Sequence, residues 1–164
     1  MATITLKGNP INTSGTLPAV GSQAPDFSVV KEDLSEAPLS SFSGRKVLNV
    51  FPSVDTGVCA NSVRQFNTRA AALKDTVVLN LSKDLPFALK RFCGAEGIKN
   101  AQAASVWRSD FARKYGLEIV DGPLKGLCSR VVLVLDGSNK VVYAQQVAEI
   151  AAEPDYDAAL KTLA

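Results

Sequence analysis

The chain has 164 residues, of which 46% are hydrophobic, and a net charge of +2 from 18 basic and 16 acidic side chains. This length predicts a single domain over residues 1–164, with a hydrophobic core that needs no metal or disulfide to hold it together. The nearly balanced charge argues against nucleic-acid and membrane-surface binding, and no apolar run approaches the roughly 18 residues that span a bilayer.

The first half of the chain alternates strand and helix patterns. A β-hairpin is predicted around Gly8-Asn9-Pro10, followed by a loop and a strand over residues 27–31. The near-continuous apolar run at residues 46–51 is typical of a central strand buried on both faces, and residues 76–81 repeat it. Between these two runs, residues 61–73 carry the apolar spacing of an amphipathic helix.

The second half continues with a helix that Ser82 or Asp84 is predicted to cap, with Pro86 in its first turn and Gly94 at its end. The remaining predicted elements are a short helix over 107–115, a hairpin of strands 130–135 and 140–145, and a final helix over 154–163. This order predicts an α/β fold, a thioredoxin-like sandwich in which helices flank a central mixed β-sheet, with an N-terminal β-hairpin added.

The chain contains no histidine. This excludes Ser-His-Asp and Cys-His catalysis and any histidine-ligated metal. Its three cysteines, Cys59, Cys93 and Cys128, are too few and too far apart for a secreted disulfide framework, and no Cys-x-x-Cys occurs. With no export signal at the N-terminus, the location expected is cytoplasmic.

Cys59 is the first candidate for chemistry. It follows a buried strand and a short turn, so its thiol is expected in a first helical turn, where unpaired N–H groups and the helix dipole favour an anion. Asp55 opposes this if its carboxylate points at the sulfur. The alternative is that Cys59 simply begins the apolar stripe of its helix.

Ionisation alone would not make such a thiol an enzyme. An ordinary thiol is roughly 3% ionised at pH 7, so complete ionisation gains only about 30-fold, whereas enzymes supply about a millionfold or more. A reactive Cys59 therefore needs neighbours that stabilise charge in the transition state.

The other two thiols have simple structural interpretations. Cys93 follows Leu85 and Leu89 on the inward face of its predicted helix, which suits a buried core residue and a redox partner of Cys59 equally. Cys128, two residues before Arg130, is predicted to be a packed small side chain.

A resemblance extends over essentially the whole chain. Pro52-x-x-x-Thr56-x-x-Cys59 matches the active-site signature of the peroxiredoxins, and the stretches 51–59, 91–97 and 121–127 resemble the bacterial thiol peroxidase subfamily. Gly8-Asn9-Pro10 and residues 153–156 add to this similarity.

The resemblance implies a mechanism that needs no cofactor. Cys59 would be the peroxidatic cysteine that becomes a sulfenic acid, held and assisted by Thr56 and Arg130, with Pro52 shielding it from water. Cys93 would resolve the sulfenic acid as an intrachain disulfide, which thioredoxin would reduce. The resemblance also implies a homodimer that reduces hydrogen peroxide and alkyl hydroperoxides.

Two other functions remain open at this point. In the first, the protein is a non-catalytic redox sensor or binding module, in which a Cys59–Cys93 bridge alters a partner surface. In the second, the three cysteines bind a metal, although zinc usually requires a fourth strong ligand.

Overall fold

The computed structural model describes residues 1–164 and contains nine β-strands and four α-helices. The strands are β1 (Thr3–Leu6), β2 (Asn9–Asn12), β3 (Ser28–Lys31), β4 (Glu36–Pro38), β5 (Arg45–Val50), β6 (Thr76–Ser82), β7 (Gln102–Ser105), β8 (Val131–Leu135) and β9 (Val141–Gln146). The helices are α1 (Gly57–Ala70), α2 (Pro86–Glu96), α3 (Phe111–Lys114) and α4 (Tyr156–Lys161). No helix has the length and apolar character needed to cross a membrane.

Seven strands form one mixed sheet in the order β4-β3-β7-β6-β5-β8-β9. The three strands β5, β6 and β7 run parallel to one another, because α1 and α2 connect them as crossovers. β8 pairs antiparallel with β5, and β9 returns beside β8 through a hairpin. The predicted thioredoxin-like sandwich with a mixed central sheet is confirmed.

Alternate side chains of β5 face two different layers, because successive residues of a strand point to opposite faces of the sheet. Val47 packs with Phe66 of α1 and Ala159 of α4, whereas Leu48 packs on the opposite face with Phe111 of α3. Burial on both faces explains why the predicted central strands read as continuous apolar runs.

The N-terminal hairpin is a separate two-stranded sheet formed by β1 and β2. Its turn places Lys7 and Gly8 at φ +51° and +83°, the left-handed conformation that two-residue hairpin turns require. Ile4 and Ile11 pack against Ile119 and Ile150, which joins the hairpin to the body of the protein.

Several predicted boundaries were wrong. Helix α1 begins at Gly57, which puts Cys59 in its first turn as predicted, and it ends at Ala70, three residues before the end of the periodic segment 61–73. Helix α2 continues through Gly94 and ends at Glu96, with Gly97 as its left-handed C-cap at φ +65°. Leu85, predicted on its apolar face, precedes the helix and is 49% exposed. Strands β4 and β7 were not predicted, because three- and four-residue strands carry little periodicity.

Gly116 ends the segment after α3 at φ +69°, and a Cβ there would lie 2.3 Å from the Thr16 carbonyl oxygen. Gly97 has a similar φ with open space around it. We expect Gly116→Ala to lower the free energy of unfolding by about 3 kcal/mol or more, from backbone strain plus the clash, and Gly97→Ala by about 1–2 kcal/mol from strain alone. Urea unfolding of the two variants measures the difference, and equal losses would contradict the clash.

Candidate active site

The register of the central strands brings Cys59 and Arg130 together. Val50, the last residue of β5, pairs with Val131, the first residue of β8. The chain therefore leaves β5 towards α1 at the same end of the sheet at which Arg130 precedes β8. Cys59 lies in the first turn of α1 and is completely buried, with 0% of its surface exposed.

Arg130 supplies a buried positive charge beside the sulfur. Its Nη2 donates a hydrogen bond to Cys59 Sγ at 3.2 Å, and its Nε donates to the Ile150 carbonyl oxygen at 2.8 Å. The side chain is only 2% exposed and forms no ion pair with a carboxylate. Its Nη1 is buried without a hydrogen-bond partner, which is costly unless a ligand or reacting group uses it.

Thr56 occupies the N-cap position of α1, but its side chain makes no capping hydrogen bond. Its hydroxyl donates to the Ser53 carbonyl oxygen at 3.2 Å, and not to the Cys59 sulfur. Pro52 is buried at the end of β5. The structure thus puts Thr56 and Pro52 in the same loop as the thiol, while the only side-chain hydrogen bond to the sulfur comes from Arg130.

A pocket of about 360 Å³ opens above these residues, and half of its lining residues are hydrophobic. One side comes from the loop and first turn of α1, and the other from the hairpin turn and the segment after β9. The lining residues are Leu6, Lys7, Pro52, Ser53, Thr56, Gly57, Val58, Leu124, Leu127, Arg130, Ile150 and Ala151. Because Arg130 lines the pocket and also contacts Sγ, the sulfur lies directly behind the pocket wall.

Asp84 anchors the loop that precedes Cys59, a role that the sequence reading missed. It was predicted, with Ser82, to cap α2, yet no side chain caps that helix. Instead Asp84 accepts hydrogen bonds from the Ser53 hydroxyl at 2.8 Å and the Val54 N–H at 2.9 Å. The Ser82 hydroxyl donates to the same carboxylate at 2.6 Å. The sequence could have indicated this role, because Asp84 follows β6, the strand parallel to β5. The loops after these two strands meet at one end of the sheet.

Asp55 does not oppose an anion at Cys59. Its carboxylate pairs with Arg91 of α2 at 2.9 Å, and its side chain is 62% exposed. The ambiguity about its direction is therefore resolved, because Asp55 points outward.

Cys93 and Cys59 belong to the same hydrophobic cluster, together with Phe51, Val63 and Phe92. Both thiols are free. Burial, reinforced by the nearby Glu32 carboxylate, raises the pKa of the Cys93 thiol to about 12, so it is protonated in this conformation at neutral pH. Cys93 lies one turn before the end of α2 and is buried.

Cys128 lies apart from the other two, in the large cluster on the opposite face of the sheet, where it is completely buried. Its burial raises its pKa to about 12. No group of three or more His, Cys, Asp or Glu residues comes together to hold a metal ion, so the structure gives no support to a three-cysteine metal site.

The chain is similar to known proteins over most of its length. The redoxin family model matches residues 19–160. The curated thiol peroxidase of Corynebacterium glutamicum is 54% identical over 164 residues, covering 99% of both chains, and that of Mycobacterium bovis is 55% identical over the same extent.

Solved structures share the fold over the full chain. A peroxiredoxin-like protein from Aquifex aeolicus has a TM-score of 0.93 at 39% identity, covering 99% of this chain and 96% of that one. A thiol peroxidase from Chromobacterium violaceum has a TM-score of 0.87 at 26% identity, covering 98% and 94% of the two chains.

The chain shares its fold with a peroxiredoxin-like protein and matches the redoxin model over most of its length, so it belongs to the redoxin family. Within that family, relatives above 50% identity make it an enzyme of the peroxiredoxin class, a thiol-dependent peroxidase. The resemblance to bacterial thiol peroxidases is confirmed, and the alternative of a non-catalytic redox sensor is set aside.

The buried thiol of Cys128 predicts an alkaline weakness of the fold. Its pKa is raised from 9.0 to about 12, so above pH 9 the unfolded chain releases a proton that the folded chain retains. The contribution of the Cys128 thiol to the free energy of unfolding is fully present below pH 9. It then falls by about 1.4 kcal/mol per pH unit as pH rises towards 12. Cys128→Ala should remove this share of the slope, measured by urea unfolding between pH 9 and 11. An unchanged slope would contradict it.

Proposed function

We propose that Cys59 is the peroxidatic cysteine of a peroxidase that reduces hydrogen peroxide and alkyl hydroperoxides. The hydrogen bond from Arg130 Nη2 to Cys59 Sγ is the observation that carries the proposal. A guanidinium bound to sulfur, with no competing carboxylate, makes the stronger charge-assisted hydrogen bond when the sulfur is a thiolate. The same group can follow negative charge as it moves from sulfur to a peroxide oxygen.

The first chemical step oxidises the sulfur by two electrons. The Cys59 thiolate attacks the terminal oxygen of the hydroperoxide, a sulfur–oxygen bond forms, and the O–O bond breaks. Cys59 becomes a sulfenic acid, and the leaving alkoxide or hydroxide takes a proton to give an alcohol or water.

Three residues near Cys59 assist this step. The buried Nη1 of Arg130, which has no partner in the protein, can donate to a peroxide oxygen. The Thr56 hydroxyl donates its hydrogen bond to the Ser53 carbonyl oxygen, so its own oxygen is free to accept a hydrogen bond from the peroxide O–H. Pro52, buried in the pocket wall, excludes bulk water from the thiolate.

Cys93 is proposed as the resolving cysteine. Its thiolate attacks the sulfenic sulfur of Cys59, an intrachain disulfide forms, and the hydroxyl of the sulfenic acid leaves as water after taking a proton. Because the buried Cys93 thiol is protonated in this conformation, resolution follows the opening of α2 or of the first turn of α1.

Recycling and assembly complete the proposal. Thioredoxin supplies two electrons and two protons that return the disulfide to two thiols. We further propose that the enzyme is a cytoplasmic homodimer, as the family resemblance implies.

Mass mapping after one equivalent of hydrogen peroxide tests the two cysteine roles. The wild type should form a Cys59–Cys93 disulfide within one chain. Cys93→Ser should stop at a Cys59 sulfenic acid that dimedone traps, and should lose turnover with thioredoxin, its reductase and NADPH. Cys59→Ser should show neither oxidation nor turnover, whereas the control Cys128→Ala should keep both. Turnover in Cys59→Ser would mean that the nucleophile is wrong.

Arg130→Lys tests the guanidinium separately from its charge. Lysine keeps the charge but offers no planar fork that can bind the sulfur and a peroxide oxygen at once. We expect the rate constant of Cys59 oxidation to fall by about 100-fold or more, beyond the roughly 30-fold that ionisation could explain. Arg108→Lys, at an exposed ion pair with Glu36, is the control. A loss within 30-fold, measured by stopped flow, would argue against a transition-state role.

A further inference from the structure

Glu149 lies in the segment between β9 and α4 and binds two separate parts of the chain. One carboxylate oxygen accepts from the Gly8 N–H at 2.9 Å and the Thr5 hydroxyl at 3.0 Å, both in the N-terminal hairpin. The other accepts from the Ala151 N–H at 2.8 Å. These hydrogen bonds, first those of Ala151 and Gly8, lower the pKa of Glu149 to about 2, so the carboxylate is ionised throughout the neutral range.

No cation neutralises this carboxylate, since Glu149 takes part in no ion pair. Its charge is balanced by N–H groups of the hairpin turn, which the left-handed conformation of Lys7 and Gly8 aims at it. The N–H groups of the hairpin turn therefore form a backbone anion-binding site, and the Glu149 carboxylate occupies it.

The backbone on either side of Glu149 strengthens the same junction. The Thr5 N–H donates to the Ala148 carbonyl oxygen at 2.8 Å, and the Ile150 N–H donates to the Thr5 carbonyl oxygen at 2.9 Å. The Ile150 carbonyl oxygen in turn accepts from Arg130 Nε at 2.8 Å. None of these three hydrogen bonds uses the Glu149 carboxylate, so the group that orients the guanidinium keeps its partners when that side chain is changed.

The hairpin held in this way forms part of the pocket wall. Leu6 and Lys7 line the pocket from the hairpin, while Ile150 and Ala151 line it from the segment around Glu149. The opposite wall, next to Cys59, belongs to the loop before α1 and its first turn, and Glu149 makes no hydrogen bond to it.

We propose that Glu149 is a positioning residue that holds the N-terminal hairpin in place as the outer wall of the pocket. It thereby determines how fast the enzyme reacts with bulky apolar hydroperoxides. This inference rests on the proposed function, in which Cys59 is the peroxidatic cysteine. Hydrogen peroxide needs only Arg130 and the loop next to the sulfur, whereas a bulky substrate also needs the apolar surface that the hairpin carries.

The test measures the second-order rate constant of Cys59 oxidation with hydrogen peroxide and with cumene hydroperoxide, in the full-length reduced protein. Glu149→Ala should lower the constant for cumene hydroperoxide about tenfold or more and that for hydrogen peroxide less than about threefold. Glu149→Gln keeps the size and one acceptor oxygen, so it should fold like the wild type and show a smaller selective loss. Glu36→Ala, which removes an exposed carboxylate on the edge strand β4, should change neither constant.

The outcomes separate the two proposals. If the wild type reacts with both substrates but the folded Glu149 variants lose neither rate, or lose both equally, the positioning role is overturned and the proposed function stands. If neither hydroperoxide oxidises Cys59 in the wild type, the proposed function fails, and the role of Glu149 fails with it.

Discussion

The contact between the Arg130 guanidinium and the Cys59 sulfur is the interaction on which the site depends. A guanidinium that is 2% exposed and has no carboxylate partner is costly to bury, and its compensation comes from the Ile150 carbonyl oxygen and from the sulfur. The strand register holds these groups in place, since Val50 at the end of β5 pairs with Val131 at the start of β8. The chemistry therefore depends on backbone pairing as much as on the side chains.

Cys59 and Cys93 lie in the packed interface between two helices. Helices α1 and α2 share one hydrophobic cluster that contains both Cys59 and Cys93, and the Arg64–Glu96 ion pair at 2.8 Å joins them on the surface. Asp84 fixes the loop before α1 from the start of α2. In the proposed resolution step the two thiols approach each other, and the contacts that this step would break lie along the interface between the two helices.

The fold and the central thiol could be predicted from the sequence because they depend on local patterns. Apolar runs identified the buried strands, and the strand–turn–helix order placed Cys59 in a first helical turn. The carboxylates that position the site could not be found in this way, because Asp84 and Glu149 act on segments 30 and 141 residues away in the sequence. The end of α2 was misjudged for a related reason: Gly94 and Gly97 both suit a helix stop, and tertiary packing decides between them.

The residues that line the pocket lie at one end of the sheet, and β8 runs from this end to the opposite one. Five residues of that strand, about 17 Å at 3.3–3.4 Å each, separate Arg130 from the turn at residues 136–139. Ser138 in that turn is exposed and takes no part in the pocket. A cysteine-free linker attached at this turn would fix the protein to an electrode or bead with the pocket facing the solution.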